Sequence, residues 1–335
     1  MSYKYTIAFD ANGNDKGVME CFLAAQRFAS ENPDTLIKLV GDIAELSELN
    51  NNTNLELIEN KNKPSDPRNI RKSMHENTSM NQSIALVLDN QADAVISSGD
   101  SGTYISALTL KAKRLNGVSR PAFMPVATAA NERKFVMLDV GANLETKTEY
   151  YVEWASLAST FYSAMFNKQL PQVALINIGT EDYKGSQTTQ EAHQLLKEHK
   201  EFEYLGFMEP KTLFDGKCDV VVTDGYAGNI MIKSYEGAIE TFTGLLKKEV
   251  KNSFLAKIGG LFMKPSFRNV AKKLDYRSIG SAWVIGVNAL ALKAHGSSDN
   301  FAYYNALRNI KQALEVNLLA KLQEAMEKDA VQEDN

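Results

Sequence analysis

The sequence predicts an α/β three-layer sandwich built around a largely parallel, Rossmann-like sheet. Two observations predict it. Short apolar runs of strand length alternate with longer segments whose apolar residues recur at helical spacing. The short runs end repeatedly in polar, glycine-bearing turns, as strands do when they feed the crossover helices of a parallel sheet. The 335 residues contain no internal repeat and no low-complexity linker. Residues 1–325 are therefore expected to form a single α/β domain with a helical, basic and apolar protrusion at about 240–275, followed by an acidic, frayed tail over 326–335.

Tyr5–Phe9 reads as a buried strand, and DANGNDKG (10–17) as the turn after it. Val18, Cys21, Phe22, Ala25 and Phe28 then recur at helical spacing. Leu36–Val40 and Leu55–Ile58 are further strands, and residues 60–73 form a polar, basic loop containing Pro64 and Pro67. Thr78 caps a helix through Ile84 and Leu88. The strand Ala94–Ile96 enters SSGDSG (97–102) and a helix over Tyr104–Leu115. Phe135–Leu138 ends in DVGAN (139–143), and Trp154, Leu157, Phe161 and Met165 line a helix face. Val173–Ile178 leads into NIGTEDYKG (177–185) and another helix. Val220–Val222 leads into TDGYAGN (223–229) and a long one. Trp283–Lys293 is apolar with helical character, and Phe301–Leu319 is an amphipathic helix; AHGSSD (294–299) lies between them. Ligands of such sheets bind outside the carboxyl ends of the strands, so five of these turns are expected to converge on one side.

Composition narrows the function. A net charge of −4 gives no reason to expect nucleic acid as a partner. Cys21 and Cys218 form no CxxC pair, a usage suited to a reducing cytoplasm. The first ten residues carry no signal core, and no apolar run reaches the roughly 18 residues of a spanning helix. His75, His193, His199 and His295 make no metal-binding spacing, so no metal is expected; His193 and His199 are expected to be solvated on an exposed helix.

The motifs exclude as much as they indicate. DANGNDKG lacks G-x-G-x-x-G, and no G-x-x-x-x-G-K-[ST] occurs, which argues against dinucleotide and P-loop chemistry. GDSG (99–102) lies in a strand–turn–helix context without G-x-S-x-G, so neither a protease triad nor a nucleophile elbow is supported. What these turns offer is backbone N–H groups and small residues that let an anion approach, against the alternative of plain capped connections. Lys184, just past a strand end, can hold a phosphate or stabilise an oxyanion, against the alternative of pairing with Glu181 or Asp182. In residues 247–273 the apolar Phe254, Leu255, Ile258, Leu261 and Phe262 stand among Lys247, Lys248, Lys251, Lys257, Lys264, Arg268, Lys272 and Lys273. That pattern suits an anionic bilayer surface or a dimer interface.

Taken in order, the motifs resemble the bacterial phosphate acyltransferase family, the acyl-carrier-protein:phosphate acyltransferases of phospholipid synthesis. DANGND (10–15) corresponds to the family's DAMGGD, SGDSG (98–102) to AGNTG, and MLDVGAN (137–143) to LLDVGAN. RPA (120–122), LINIGTEDYKG (175–185), VVTDGYAGN (221–229) and KAHGSSD (293–299) follow in the family's order. The resemblance implies a fold like the isocitrate/isopropylmalate dehydrogenase and phosphotransacetylase group. It also implies a homodimer, cytoplasmic and peripherally bound to an anionic membrane, with no cofactor. The implied reaction transfers a fatty acyl group from acyl carrier protein to inorganic phosphate. Phosphate is the nucleophile, so the demands on the protein are anion binding, orientation and oxyanion stabilisation.

On that basis Lys184 and the turns bearing Asp10, Gly13, Asp15, Ser98, Gly99, Ser101 and Gly102 are expected to hold phosphate, with Asn143, Asn177 and Asp224 contributing from other turns. Asn229, His295 and Ser298 are expected to orient the carbonyl or protonate the thiolate. Candidate carrier-docking patches are Lys111, Lys113, Arg114 and Arg120, or Arg68, Arg71 and Lys72. The chain departs from the family at Asn12, Asn14, Asp100, Ala227 and Ser281. Asn14 replaces a glycine better suited to a left-handed backbone, and Asp100 adds a negative charge beside the expected anion site. These departures keep two other readings open, a coenzyme A-dependent phosphotransacetylase-like enzyme and an inactive membrane-associated scaffold. A nicotinamide dehydrogenase is a more distant alternative.

Overall fold

The computed structural model describes residues 3–66, 68–274 and 281–333. Pro67 and the side chains of Arg268, Lys272 and Lys273 lie outside the described residues. The strands are β1 (Tyr5–Asp10), β2 (Thr35–Gly41), β3 (Leu55–Glu59), β4 (Ala94–Ser97), β5 (Ala122–Thr128), β6 (Lys134–Leu138), β7 (Gln172–Ile176), β8 (Glu203–Met208), β9 (Val220–Val222), β10 (Ser281–Ile285) and β11 (Leu290–Ala294). They form one sheet in the order β3-β2-β1-β4-β11-β10-β5-β6-β9-β7-β8.

The sheet is mostly parallel, but its middle is not. β11 pairs parallel with β4, whereas β10 is antiparallel to both β11 and β5, and β5 is antiparallel to β6. Beyond β6 the pairing is parallel again through β9, β7 and β8. Following these senses across the sheet, β6, β9, β7 and β8 run opposite to β1, β2, β3, β4 and β11. The glycine turns therefore do not all converge on one side, as alternation alone led us to expect. Those after β1, β4 and β11 leave one edge, and those after β6, β7 and β9 leave the other.

The misread segment is the apolar stretch 283–293. It is the β10–β11 hairpin rather than a helix, with Ser281 opposite Ala294 and Trp283 opposite Leu292. Apolar residues on both strand faces gave it no clear period, while Gly286 (φ 90°) and Asn288 provided the turn within it. Both strands are buried in the middle of the sheet, which is why they lack polar alternation.

Helices cover both faces. On one face α1 (Val18–Glu31), α5 (Thr148–Phe166), α6 (Gln187–Glu198), α9 (Asn300–Glu315) and α10 (Leu318–Glu333) bury Phe22, Trp154, Leu196, Tyr303 and Leu318 in the main core. The expected helix over 301–319 is thus two helices, broken where Asn317 takes a left-handed backbone (φ 53°). α10 carries regular helix to Glu333, past residue 326 where a frayed tail is expected. His193 of α6 is 2 % exposed rather than solvated; it stacks on Phe207 and its Nδ1 lies 2.7 Å from the Tyr204 hydroxyl.

On the other face α2 (Ile70–Ser73), α3 (Ser79–Leu88) and α4 (Ser101–Lys111) lie at the β1–β4 side, where Met80, Ile84, Tyr104 and Leu108 form a second core. α7 (Gly225–Asn252) covers the β6–β9 side, with Met231 and Ile232 against Met137 and Val221. α8 (Phe254–Leu274) follows α7. Between α4 and α7 this face stays open over β11, β10 and β5, and the apolar cavity described below occupies that gap.

At the amino ends of β7 and β9, the buried Asp219 accepts from Arg133 Nη2 (2.6 Å), Gln172 N (2.8 Å) and Lys168 Nζ. Burial raises the Asp219 carboxyl, but the Gln172 amide and the two cations outweigh it and hold the group below its usual range. Its stabilising contribution is therefore complete above the ordinary carboxylate pKa and lost as pH falls through the depressed value. Asp219→Ala leaves Arg133 and Lys168 without their buried partner, an expected cost of about 3–5 kcal/mol in urea unfolding at neutral pH. The difference from the parent chain should shrink in acid.

Candidate active site

Parallel register aligns Asp10, Ser97 and Lys293 at the carboxyl ends of β1, β4 and β11. Hairpin pairing extends the row to Ala282 on β10 and Pro125 on β5. Paired residues project to the same face of a sheet, so one cross-strand row passes from an acid through a hydroxyl and a cation to apolar side chains. Two cavities lie along it. A polar cavity of about 540 Å³ is walled by Asp10, Asn12, Asp15, Lys63, Ser98 and Asp100. An apolar cavity of about 190 Å³ is walled by Phe123, Pro125, Val140, Ile232, Ala282 and Ala302. Ser101, Lys293 and His295 line both, and so mark their junction.

The first turn is built around Asp10. Its carboxylate accepts from the Ser79 and Ser97 hydroxyls at 2.6 Å each and from Asn12 N at 3.2 Å. Burial pushes the Asp10 pKa up, and the two hydroxyls work against that. Asp10 thus ties β1 to β4 and to the start of α3. Gly13 then crosses the second turn so closely that a Cβ there would stand 2.2 Å from Gly99 N.

The closing turn docks on the first. Asp15 N donates to Gly296 O (2.8 Å), and Asn14 Nδ2 donates to Ser298 O (2.9 Å) and to the Tyr303 hydroxyl (2.8 Å). Asn14 is not left-handed here, so its replacement of a glycine carries no backbone strain; its amide joins the two turns instead. Asp100 is similarly occupied: Oδ1 caps α4 by accepting from Thr103 N (2.7 Å) and Thr103 Oγ1 (2.8 Å). Asp299 caps α9 through Ala302 N (3.0 Å). His295 is exposed, with Nδ1 2.8 Å from Ser297 Oγ. Ser298, only 6 % exposed, lines the apolar cavity with no hydrogen bond to its Oγ. A buried hydroxyl without a partner is costly unless a ligand supplies one. Across the cavity, half-buried Glu236 of α7 has its pKa raised by desolvation, with His295 opposing.

The structure therefore gathers Asp10, Gly13, Asp15, Ser98, Gly99, Ser101, Gly102, His295 and Ser298. It does not bring the remaining expected residues among them. Asn143, Asn177, Lys184, Asp224 and Asn229 lie at the opposite strand ends. Asn143 Nδ2 is held by Pro121 O and Asp139, and Asp224 caps α7 through Ala227 N (2.7 Å). Asn177 Nδ2 donates to Lys184 O (2.9 Å), and Lys184 Nζ pairs with Glu181 at 2.8 Å. Strand β7 is six places from β4 in the sheet, about 29 Å at the usual strand spacing. Asn229 comes nearer, packed against Gly141 one helical turn before cavity-lining Ile232.

Sequence reasoning missed Lys293. It opens the motif 293–299, but from sequence it reads as the end of the apolar segment 283–293, which looks helical. Desolvation lowers its pKa to about 8, against the opposing pull of Asp10, Asp100 and Asp15. Ser79, Ser97, Tyr303 and Glu236 were also missed, being spread over four elements that only the fold brings together.

Comparison with known proteins adds an independent line. Residues 5–321 match the family model described as fatty acid synthesis protein. The chain is 51 % identical to a phosphate acyltransferase of Mycoplasmopsis agalactiae, over 96 % of this chain and 98 % of the relative. It is 45 % identical to a phosphate acyltransferase of Mycoplasma mobile, over 96 % and 99 %. Among solved structures it shares the fold of a Streptococcus pyogenes phosphotransacetylase (TM-score 0.60, 15 % identity, 94 % and 95 % covered). The Staphylococcus aureus EutD phosphotransacetylase is similar in fold (TM-score 0.57, 17 % identity, 93 % and 95 % covered).

Gly13→Ala places a methyl group into the Gly99 backbone, and neither main chain can give way without moving a turn. The expected result is a loss of about 1–3 kcal/mol in denaturant unfolding, with acyl transfer reduced more than stability explains.

Proposed function

The chain belongs to the phosphate acyltransferase family, enzymes that move an acyl group to phosphate, and from that premise we propose that acyl carrier protein is the donor and that the product feeds phospholipid synthesis. The observation that carries the reading is the meeting of a polar and an apolar cavity at Ser101, Lys293 and His295. Phosphate in the polar cavity meets the start of α4, the Ser98 and Ser101 hydroxyls and Lys63. The acyl chain lies against Phe123, Pro125, Ala282 and Ile232, which places the thioester carbonyl at the junction, beside His295 and the unpartnered Ser298 hydroxyl. A phosphate oxygen then attacks the carbonyl carbon and the thiol departs. Proximity and charge stabilisation suffice, with no acylated side chain.

The remaining expected residues fit a second role. Leu144, Ile178, Tyr183 and Tyr226, each at least 60 % exposed, surround the turns that hold Asn143, Asn177, Lys184, Asp224 and Asn229. We place the homodimer contact there. At the α7–α8 end, Phe254, Leu255, Leu261 and Phe262 are 69–80 % exposed and Ile258 44 %, with Lys247, Lys248, Lys251, Lys257 and Lys264 on the same two helices. Among the described residues no helix is long and apolar enough to cross a membrane. Peripheral docking of a cytoplasmic enzyme on an anionic bilayer would deliver a labile acyl phosphate close to its acceptor. The carrier patch is narrower than its charges imply, because Lys111 is part-buried and donates to Asn81 Oδ1.

Hydroxylamine trapping of acyl phosphate from palmitoyl-carrier protein and labelled phosphate tests the reaction. Phosphate-dependent hydroxamate is expected, with kcat/KM at least about tenfold above that for palmitoyl-coenzyme A. The opposite preference would make the enzyme phosphotransacetylase-like, and no hydroxamate from a folded chain would favour the scaffold. Ile232→Trp should fill the apolar cavity and lower kcat/KM for long acyl donors about tenfold, with little change in the KM for phosphate. Phe254→Ser, Leu261→Ser and Phe262→Ser together should abolish flotation with anionic vesicles; undiminished binding would rule out this end as the anchor.

A further inference from the structure

We propose that Lys293 is a catalytic residue whose ammonium group stabilises the oxyanion formed when phosphate attacks the thioester, and then gives a proton to the departing sulfur. The proposal deepens the reading above and rests on it. Its basis is position. Lys293 ends β11, in the middle of the cross-strand row, and lines both cavities at their junction. Among the described residues its hydrogen bond is to Ala294 O (2.5 Å), which leaves two of its three N–H donors for a ligand. Ser97 Oγ beside it is committed to Asp10. Lys63, the other lysine lining the polar cavity, does not line the apolar one.

The chemistry balances. A lone pair on a phosphate oxygen forms the new C–O bond, and the carbonyl π pair moves to oxygen, where the Lys293 ammonium stabilises it. Collapse of the intermediate breaks the C–S bond, the electron pair leaves on sulfur, and the ammonium supplies the proton that makes the thiol. The neutral amine recovers a proton from the P–OH group that the entered hydrogen phosphate still carries on a non-bridging oxygen, so thioester and hydrogen phosphate give acyl phosphate and thiol with nothing else consumed. An ordinary lysine near pKa 10.4 gives up its proton reluctantly to a thiolate near 8.5. Burial brings Lys293 to about 8, so donor and acceptor are matched. The charged groups around it are Asp10 at the end of β1, Asp15 in the following turn and Asp100 at the start of α4, all holding the pKa up against burial. Lys63 lies across the polar cavity, with His295 beside the junction and Glu236 on α7 beyond it.

The test compares the full-length chain with Lys293→Met and Lys293→Arg, measuring acyl phosphate formation from palmitoyl-carrier protein across neutral to alkaline pH. Ionisation of phosphate is common to all three proteins. In the parent chain kcat/KM should fall above about pH 8 as the ammonium of the free enzyme is lost. Lys293→Met should lower kcat by about 10²–10³-fold with the unfolding midpoint retained, and its residual rate should lack that fall. Lys293→Arg stays charged throughout, so the fall should vanish there too. Should the methionine variant fold poorly, the arginine profile still decides. Parental kcat in Lys293→Met, or the same alkaline fall in Lys293→Arg, would overturn the role of Lys293 while leaving the acyltransferase reading intact. Absence of acyl phosphate from the parent chain would overturn both.

Discussion

The site depends on the antiparallel middle of the sheet, the hairpins β10–β11 and β5–β6. β5 runs with β11 across the reversed β10, and β6 runs against β5, so the sheet changes sense at the β5–β6 pair. That change divides the glycine turns between two edges. Each hairpin is joined without a crossover helix, which leaves the middle of one sheet face uncovered between α4 and α7. The gap is floored by strand ends whose side chains change in character across one row, from Asp10 and Ser97 through Lys293 to Ala282 and Pro125. An enzyme that joins an anion to a fatty acyl group needs such a gradient, a wet pocket and a dry one sharing a wall.

Within the wet pocket the difficulty is its acids. Asp10, Asp15 and Asp100 line a space proposed to receive an anion. The structure shows how two of them are occupied. Asp10 is held by two hydroxyls and a backbone amide, and Asp100 is turned into the α4 cap. Hydrogen bonds of this kind draw carboxylate charge away from the cavity and fix the turns at the same time. Asn14 does the equivalent without charge, spanning from the first turn to Ser298 and Tyr303. Two departures from the family pattern, at Asn14 and Asp100, thus serve as structural ties.

Much of this was legible in the sequence. The strands leading into the turns at 10–17, 97–102, 139–143, 177–185 and 223–229 follow from short apolar runs that stop at glycine, and each corresponds to an observed strand. What periodicity could not supply was strand direction. A hairpin buried on both faces, as 281–294 is, shows neither alternation nor a helical stripe, so its apolar residues read as a helix. From that misreading came the omission of Lys293; the expectation of a single convergent edge fails elsewhere, because the sequence reading gives residues 122–128 no strand and their hairpin with β6 is what reverses the sheet. Lys184 was singled out for its place after a strand end; the fold puts it at the far edge, paired with Glu181. Ser298 and His295 were singled out from the polar character of their turn, and the fold sets that turn against both cavities.

The most direct measurement is the structure of the chain with a non-hydrolysable acyl phosphonate, an analogue of the product. The account predicts the phosphonate oxygens in the polar cavity within hydrogen-bonding distance of Ser101 and Lys293. The alkyl chain should run beneath α7 against Phe123, Ala282 and Ile232. A phosphonate seated at the turns of Asn177 and Lys184, with the cavity between α4 and α7 left empty, would contradict it.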